Sequence, residues 1–340
     1  TRGTASVDPL MYLADAGTSD VAVDGNGDAV LCDDAGDPSR CYGTGVRLDN
    51  YNVTIATGTL PGWQYDAMLT TTVEGLQLDS DRNNNYLTYY MTSYQGQTEG
   101  QYLLVFHMGI TDSVSQAGDS NNVTTQNSGG NSSSGGLSDS QEQQGNQSQA
   151  QPTQAPFASN DNAPEGVTVN CDNGATIDNG VEVIINQMRS GFTYTATAVG
   201  INGFDPVLAV LDVSTGDGLC SDDEASAGRY AANLPSSGRV TASNLSSQVT
   251  FNQSSSSTFA DVALVVGGFG NQAGEFLLIL EGMAATSADG AGDSFSVNIT
   301  PGMTNSGVPL SMYMLTRGTA SVDPLMYLAD AGTSDVAVDG

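Results

Sequence analysis

The residues best placed to do chemistry in this chain are carboxylates. Asp24, Asn26 and Asp28 alternate with glycine in the run D-G-N-G-D, and Asp33, Asp34 and Asp37 follow closely. Calcium takes about six to eight hard oxygen ligands from a flexible loop, and this spacing offers them. The loop is not an EF-hand, because Ala35 stands where that loop needs its closing glutamate. A second group, Asp217, Asp222, Asp223 and Glu224, predicts a similar site further along. The predicted ligand set is Asp24, Asn26, Asp28, Asp33, Asp34, Asp222 and Asp223, with calcium as the one cofactor expected. The plainer alternative is a pair of solvated acidic turns.

Other chemistries find little support. His107, in L-L-V-F-H-M-G, is the single histidine, so a histidine-cluster metal site is excluded. The chain has no lysine, which removes Schiff-base and P-loop chemistry and a Lys–Asn isopeptide bond. No G-x-S-x-G elbow accompanies His107. It is expected to face outward from a strand or to sit in a polar niche, and the chain is not expected to be an enzyme. G-G-F-G-N-Q-A-G at 267–274 has the glycines of a phosphate loop but no helix to follow, so it reads as a hairpin connection. Asp8 and Asp205, each before a proline, read as strand starts. Trp63 reads as a core cap.

The formal charge is −30, which repels nucleic acid and anionic lipid; neither nucleic-acid binding nor membrane insertion is expected. No segment approaches the ~20 apolar residues of a membrane span. Four cysteines without metal spacing predict two disulfides, Cys32–Cys41 and Cys171–Cys220, and an oxidising, extracellular compartment. Seven sequons, at Asn52, Asn122, Asn131, Asn146, Asn244, Asn252 and Asn298, are possible glycan acceptors in an exported chain. The absence of an initiator methionine and of a signal peptide suggests that the gene product begins elsewhere.

These groups must be positioned by strands. Short alternating apolar runs bounded by turn residues occur at 8–15, 45–56, 66–73, 86–94 and 100–108, and again at 181–188, 191–199, 205–212, 248–252, 261–267 and 274–281. The expected fold is all-β: two jelly-roll-like β-sandwich domains per repeat, joined by a polar linker. The Ser/Gln/Asn/Gly-rich tract at 113–163 is that linker, too polar to bury a core of its own. The expected boundaries are 1–112 for the first sandwich, 164–289 for the second, and 290–340 for the opening strands of the next copy.

The two strand sets repeat one another. D-P-L-M-Y-L-A-D at 8–15 matches D-P-V-L-A-V-L-D at 205–212, L-C-D-D at 31–34 matches L-C-S-D-D at 219–223, and the Gly100 strand Q-Y-L-L-V-F matches the Gly274 strand E-F-L-L-I-L. These motifs resemble the bacterial pre-peptidase C-terminal domain family. That resemblance implies a sandwich appended to secreted enzymes and surface proteins, without catalysis of its own and with calcium in some relatives.

Residues 1–25 recur without a change at 316–340, a period of 315. Either the chain is one window of a tandem array or both copies are true ends of one subunit; the array is the preferred reading. The internal match sets the phase. The partner of residues 190–212 is 306–330, so the strands expected before Asp8 lie at the far end of the chain, around 293–315. A lone chain is then expected to carry an incomplete sandwich, finished by a preceding copy. The expected function is a structural repeat of an extracellular filament or fibrous adhesin, assembled head to tail by tandem repetition or strand complementation. Its partners are copies of itself, with glycans or cell-surface ligands as further possibilities. The alternative is a non-catalytic binding or stalk module of a large secreted enzyme or adhesin.

Overall fold

The computed structural model describes residues 32, 35–37, 45–63, 66–71, 86–93, 100–111, 153–154, 166–223, 225, 228–252, 259–285, 293–317 and 324–328. In chain order, a 3-10 turn at Leu48–Asn50 leads into β1 (Asn52–Ile55), β2 (Gly58–Pro61), β3 (Ala67–Thr71), β4 (Tyr86–Ser93) and β5 (Gly100–Ile110). The short β6 (Thr153–Gln154) precedes β7 (Val167–Asn170), β8 (Thr176–Arg189), β9 (Thr193–Ile201), β10 (Pro206–Asp212) and β11 (Gly218–Ser221). Then come β12 (Ala231–Leu234), β13 (Gly238–Thr241), β14 (Ser247–Asn252), β15 (Phe259–Gly268) and β16 (Gly274–Ala285). The last described elements are β17 (Asp293–Asn298), the one-turn helix α1 (Pro301–Ser306), β18 (Leu310–Arg317) and β19 (Pro324–Leu328). Thr300 starts the helix by accepting the Met303 N–H on its hydroxyl, and Gly307 ends it in the left-handed region at φ 68°.

The protein is predominantly β, and among the described residues every strand pair is antiparallel. One sheet of nine strands follows the path β11-β10-β15-β8-β17-β4-β19, with β7 and β6 attached beside β8. A second has six strands, β14-β9-β16-β5-β18-β3, and a third has four, β13-β12-β1-β2. The six-stranded sheet is the middle layer. Phe106 meets Phe295 of the nine-stranded sheet at 6.2 Å edge to face, while its neighbour His107 meets Ser236 beside the four-stranded sheet. Side chains alternate across a strand, so the middle sheet is covered on both faces. This is why Tyr102–Phe106 and Phe276–Leu280 are unbroken buried runs rather than alternating ones.

The internal repeat is visible in the strand order. β9, β16 and β10 carry sequences that match β18, β5 and β19 respectively. Read from the two ends, the middle sheet is β14-β9-β16 against β3-β18-β5, and the halves join where β16 pairs with β5 from Gly274↔Ile110 to Ala285↔Gly100. The other sheets join at β8–β17 and β12–β1. All three seams fall between repeated halves, so the sheets run on from one half into the other.

Two expectations meet a different arrangement. The sandwich that was to await a preceding copy is filled from within this chain: β17 lies between β8 and β4, β18 between β5 and β3, and β19 pairs with β4. Pairing depends on the sequence presented and not on which copy presents it, so the chain's own far end fits. The Gly267–Gly274 run is not a hairpin, because β15 lies in the nine-stranded sheet and β16 in the middle one. It carries the chain between layers. Gly268 and Gly274 lie against the Phe204 ring, where a Cβ would come within 2.8 and 2.5 Å of ring carbons, and Phe204 stacks on Phe276 at 5.8 Å. The strand expected at 8–15 lies outside the described residues, and so does most of the linker tract.

Candidate functional site

β10 and β11 form a hairpin, Leu208↔Ser221 to Leu211↔Gly218, so the residues just before β10 and just after β11 come together at one end. Asp205 stands at the first place and Asp222 and Asp223 at the second. One carboxylate oxygen from each lies within 4.8 Å of the other two. Two covalent and conformational devices hold this end. The Cys171–Cys220 disulfide fastens β11 to the turn after β7, and Asp223 takes the left-handed conformation at φ 62°.

The backbone of Asp205 is fixed on both sides. Its N–H donates to Gln272 Oε1 at 3.2 Å, and its carbonyl accepts the Phe269 N–H at 2.8 Å. The Oδ1 of its carboxylate is buried without a hydrogen-bond partner. Burial, then the charge of Asp223, pushes its carboxyl above the usual range. Asp212, at the other end of β10, is the contrast. It accepts hydrogen bonds from the Ser214 hydroxyl and from the Ser214 and Thr215 N–H groups, which hold its carboxyl below the usual range. Asp212 builds a turn. Asp205, Asp222 and Asp223 form an acidic trio whose mutual repulsion a cation would relieve, with backbone or water oxygens completing the shell calcium requires.

Asp222 and Asp223 were expected as ligands from sequence; Asp205 was expected only to start a strand. The structure adds it to the cluster. The signal available was the D-P motif, which matches Asp8 in the other half but marks strand entry equally well. Asp217 lies apart from the trio, in the β10–β11 turn, where its carbonyl accepts the Asp212 N–H. Glu224 and the loop of Asp24, Asn26, Asp28, Asp33 and Asp34 lie outside the described residues. Cys171 and Cys220 are paired as expected. Cys32 is buried and disulfide-bonded, and Cys41 lies outside the described residues.

Among the sequons, Asn244 and Asn252 are exposed and Asn52 is half-buried on β1. Asn298 is 7 % exposed on β17, between β8 and β4, which leaves no room for a glycan in the folded chain. Asn122, Asn131 and Asn146 lie outside the described residues. Trp63 is half-buried, with its backbone N–H donating to Asp66 Oδ2 at 2.7 Å. Among the described residues, no helix is long and apolar enough to cross a membrane.

The trio makes a direct prediction. Calcium is expected to raise the melting temperature of the chain over that in EGTA, by about 2.7 kcal/mol of added stability at a hundredfold excess over Kd. Asp205→Asn is expected to remove most of that gain. Superimposable melting curves in EGTA and in calcium would refute the site.

No family model, no curated protein and no solved structure matches this chain.

Proposed function

We propose that the chain is a structural repeat of an extracellular filament or fibrous adhesin, built from two jelly-roll-like β-sandwich modules resembling pre-peptidase C-terminal domains and joined to copies of itself head to tail. The observation that carries this reading is the place of the far-end strands. β17 and β18 fill interior positions of two sheets, while β19 carries P-L-M-Y-L, the same five residues as 9–13. The strand that pairs with β4 at the edge of one half therefore has a second, identical source. The half it completes is joined in sequence to β7 and β8 through the polar tract around 113–163, long enough to reach a neighbouring copy as readily as its own chain.

Repeats joined this way make heterologous contacts, which extend into open filaments unless the rotation closes a ring. Sheets that run through both halves suit the role, because each seam is a row of backbone hydrogen bonds rather than a flexible joint. The Cys171–Cys220 disulfide and the high acidic charge fit an exposed, oxidising setting, and calcium at the acidic trio would stiffen one corner.

Negative-stain microscopy of the native material, paired with its intact mass under reducing denaturation, tests the proposal. Regular filaments are expected, whether the mass is one repeat or many; the mass separates strand exchange from a covalent array. Isolated flexible strings with no axial repeat would overturn it in favour of a stalk.

A further inference from the structure

We propose that Ser236, His107 and Glu275 form a nucleophile–base–carboxylate relay that hydrolyses activated, unhindered carboxylic esters, through acylation of Ser236, at the surface of the middle sheet. The three residues are remote in sequence, separated by 129 and 168 positions, and are brought together by the layering. Ser236 stands exposed at the turn between β12 and β13, and His107 lies beneath it on β5 with 3 % of its surface exposed. Nδ1 of His107 is 2.9 Å from Ser236 Oγ, and Nε2 is 3.4 Å from Glu275 Oε2 on β16.

The hydrogen positions follow from what each group can do. Burial pushes the His107 imidazole down, against the opposing pull of Glu275, and so favours the neutral ring. A carboxylate only accepts, so Nε2 carries the ring proton and donates to Glu275, which leaves Nδ1 as the acceptor. Nδ1 then accepts the Ser236 hydroxyl. Tyr313 on β18 completes the set. Its oxygen accepts the Ser236 backbone N–H at 2.9 Å, and its own hydroxyl donates to Ser236 Oγ at 2.6 Å. Burial pushes the Tyr313 hydroxyl up to about 12, so it stays a donor at neutral pH. The chain Tyr313 to Ser236 to His107 to Glu275 is satisfied at every step and runs in one direction.

The reaction it supports balances with water as the co-reactant. Ser236 Oγ attacks the ester carbonyl and forms the Oγ–C bond while its proton passes to His107 Nδ1. The carbon–alkoxide bond breaks and the alkoxide leaves with that proton as an alcohol. Water then attacks the acyl group and gives a proton to Nδ1; the Oγ–C bond breaks, the proton returns to Oγ, and a carboxylic acid departs. Glu275 is a positioning residue that holds the ring and steadies the imidazolium. Tyr313 is a positioning residue that donates to the serine oxygen and orients it toward His107. The serine sits on an open turn, so the acyl chain is not selected and only activated esters are expected to react. The inference is independent of the filament proposal.

The test is labelling with a fluorophosphonate together with hydrolysis of p-nitrophenyl acetate. Peptide mapping is expected to find the label on Ser236, and Ser236→Ala is expected to lose about 10²-fold of the hydrolysis that general-base assistance provides. Ser237→Ala, one residue along the same turn, is expected to keep both. Glu275→Gln is expected to slow labelling at an unchanged melting temperature, with partial rescue by Glu275→Asp. Because His107 is buried, His107→Gln is judged only if its melting curve matches that of the parent; the Ser236 and Glu275 variants carry the test regardless. No label, a label on another residue, or a Ser236→Ala chain as fast as its parent would overturn the relay.

Discussion

A chain ending at residue 292 is expected to lose its cooperative fold, and to regain it when a separate peptide spanning residues 293–328 is added. The missing segment supplies two interior strands and one edge strand. Without β17, β8 and β4 lose their shared partner; without β18, β5 and β3 lose theirs. The segment also contributes Phe295, Val297, Ile299, Met303, Leu310, Met312, Tyr313, Met314 and Leu315, each no more than 1 % exposed. Burying that many large apolar side chains is worth on the order of 20 kcal/mol, more than the ~5–15 kcal/mol by which a whole domain is usually stable. Phe295 in particular meets Phe106 across the layers at 6.2 Å.

The peptide should rescue because nothing covalent is required at the seam, only the sequence. A peptide of residues 1–25 is the control. It carries the equivalent of the β19 strand but nothing of β17 and only the last two residues of β18, and rescue by it is not expected. Circular dichroism melting of the truncated chain, alone and with each peptide, reads the result. Full cooperative unfolding of the truncated chain alone would show that the far-end strands decorate the fold rather than complete it, and would remove the physical ground for strand-sharing between copies.

Replacing both Cys171 and Cys220 by serine is expected to cost about 4 kcal/mol, from the loop-closure entropy of a crosslink spanning 49 residues. The local packing raises the stakes. Val169, Ile177, Val207, Ala209, Leu211, Ala263 and Val265 form a second, smaller apolar cluster on the outer side of the nine-stranded sheet, and both cysteines belong to it. This cluster has fewer large side chains than the main core and relies more on the crosslink. The melting temperature should fall by about 10 °C. Calcium binding should weaken as well, since Asp222 follows Cys220 by two residues and the crosslink holds that end of the hairpin beside Asp205. Melting the parent and the double variant in calcium and in EGTA measures both effects. An unchanged midpoint would mean that strand pairing alone holds this corner.

The strands were legible in the order of the residues because period-two burial is a local property. β14 alternates as it should, Val249 and Phe251 inward and Thr250 and Asn252 outward. The runs read at 86–94, 100–108, 205–212 and 274–281 contain the strands Tyr86–Ser93, Gly100–Ile110, Pro206–Asp212 and Gly274–Ala285, and their motifs recur in the sequence. Residues 306–330, read as the counterpart of 190–212, contain the strands β18 and β19.

Sheet membership was not legible. The Gly267–Gly274 run has the composition of a hairpin, yet its flanking strands belong to different layers, because the choice of partner for β15 and β16 rests on β10, β8, β9 and β5, all remote in sequence. The same limit hid Asp205 among the ordinary strand starts. Chain order thus dictated where strands form and that strand motifs recur, for those outcomes follow from short-range periodicity and residue chemistry. Three-dimensional packing alone selected which copy of a strand fills which gap, which three carboxylates converge, and that Ser236 reaches His107 and Glu275. Such meetings depend on long-range strand pairing and layer stacking, whose free energies are summed over the whole core and are written in no single stretch of the chain.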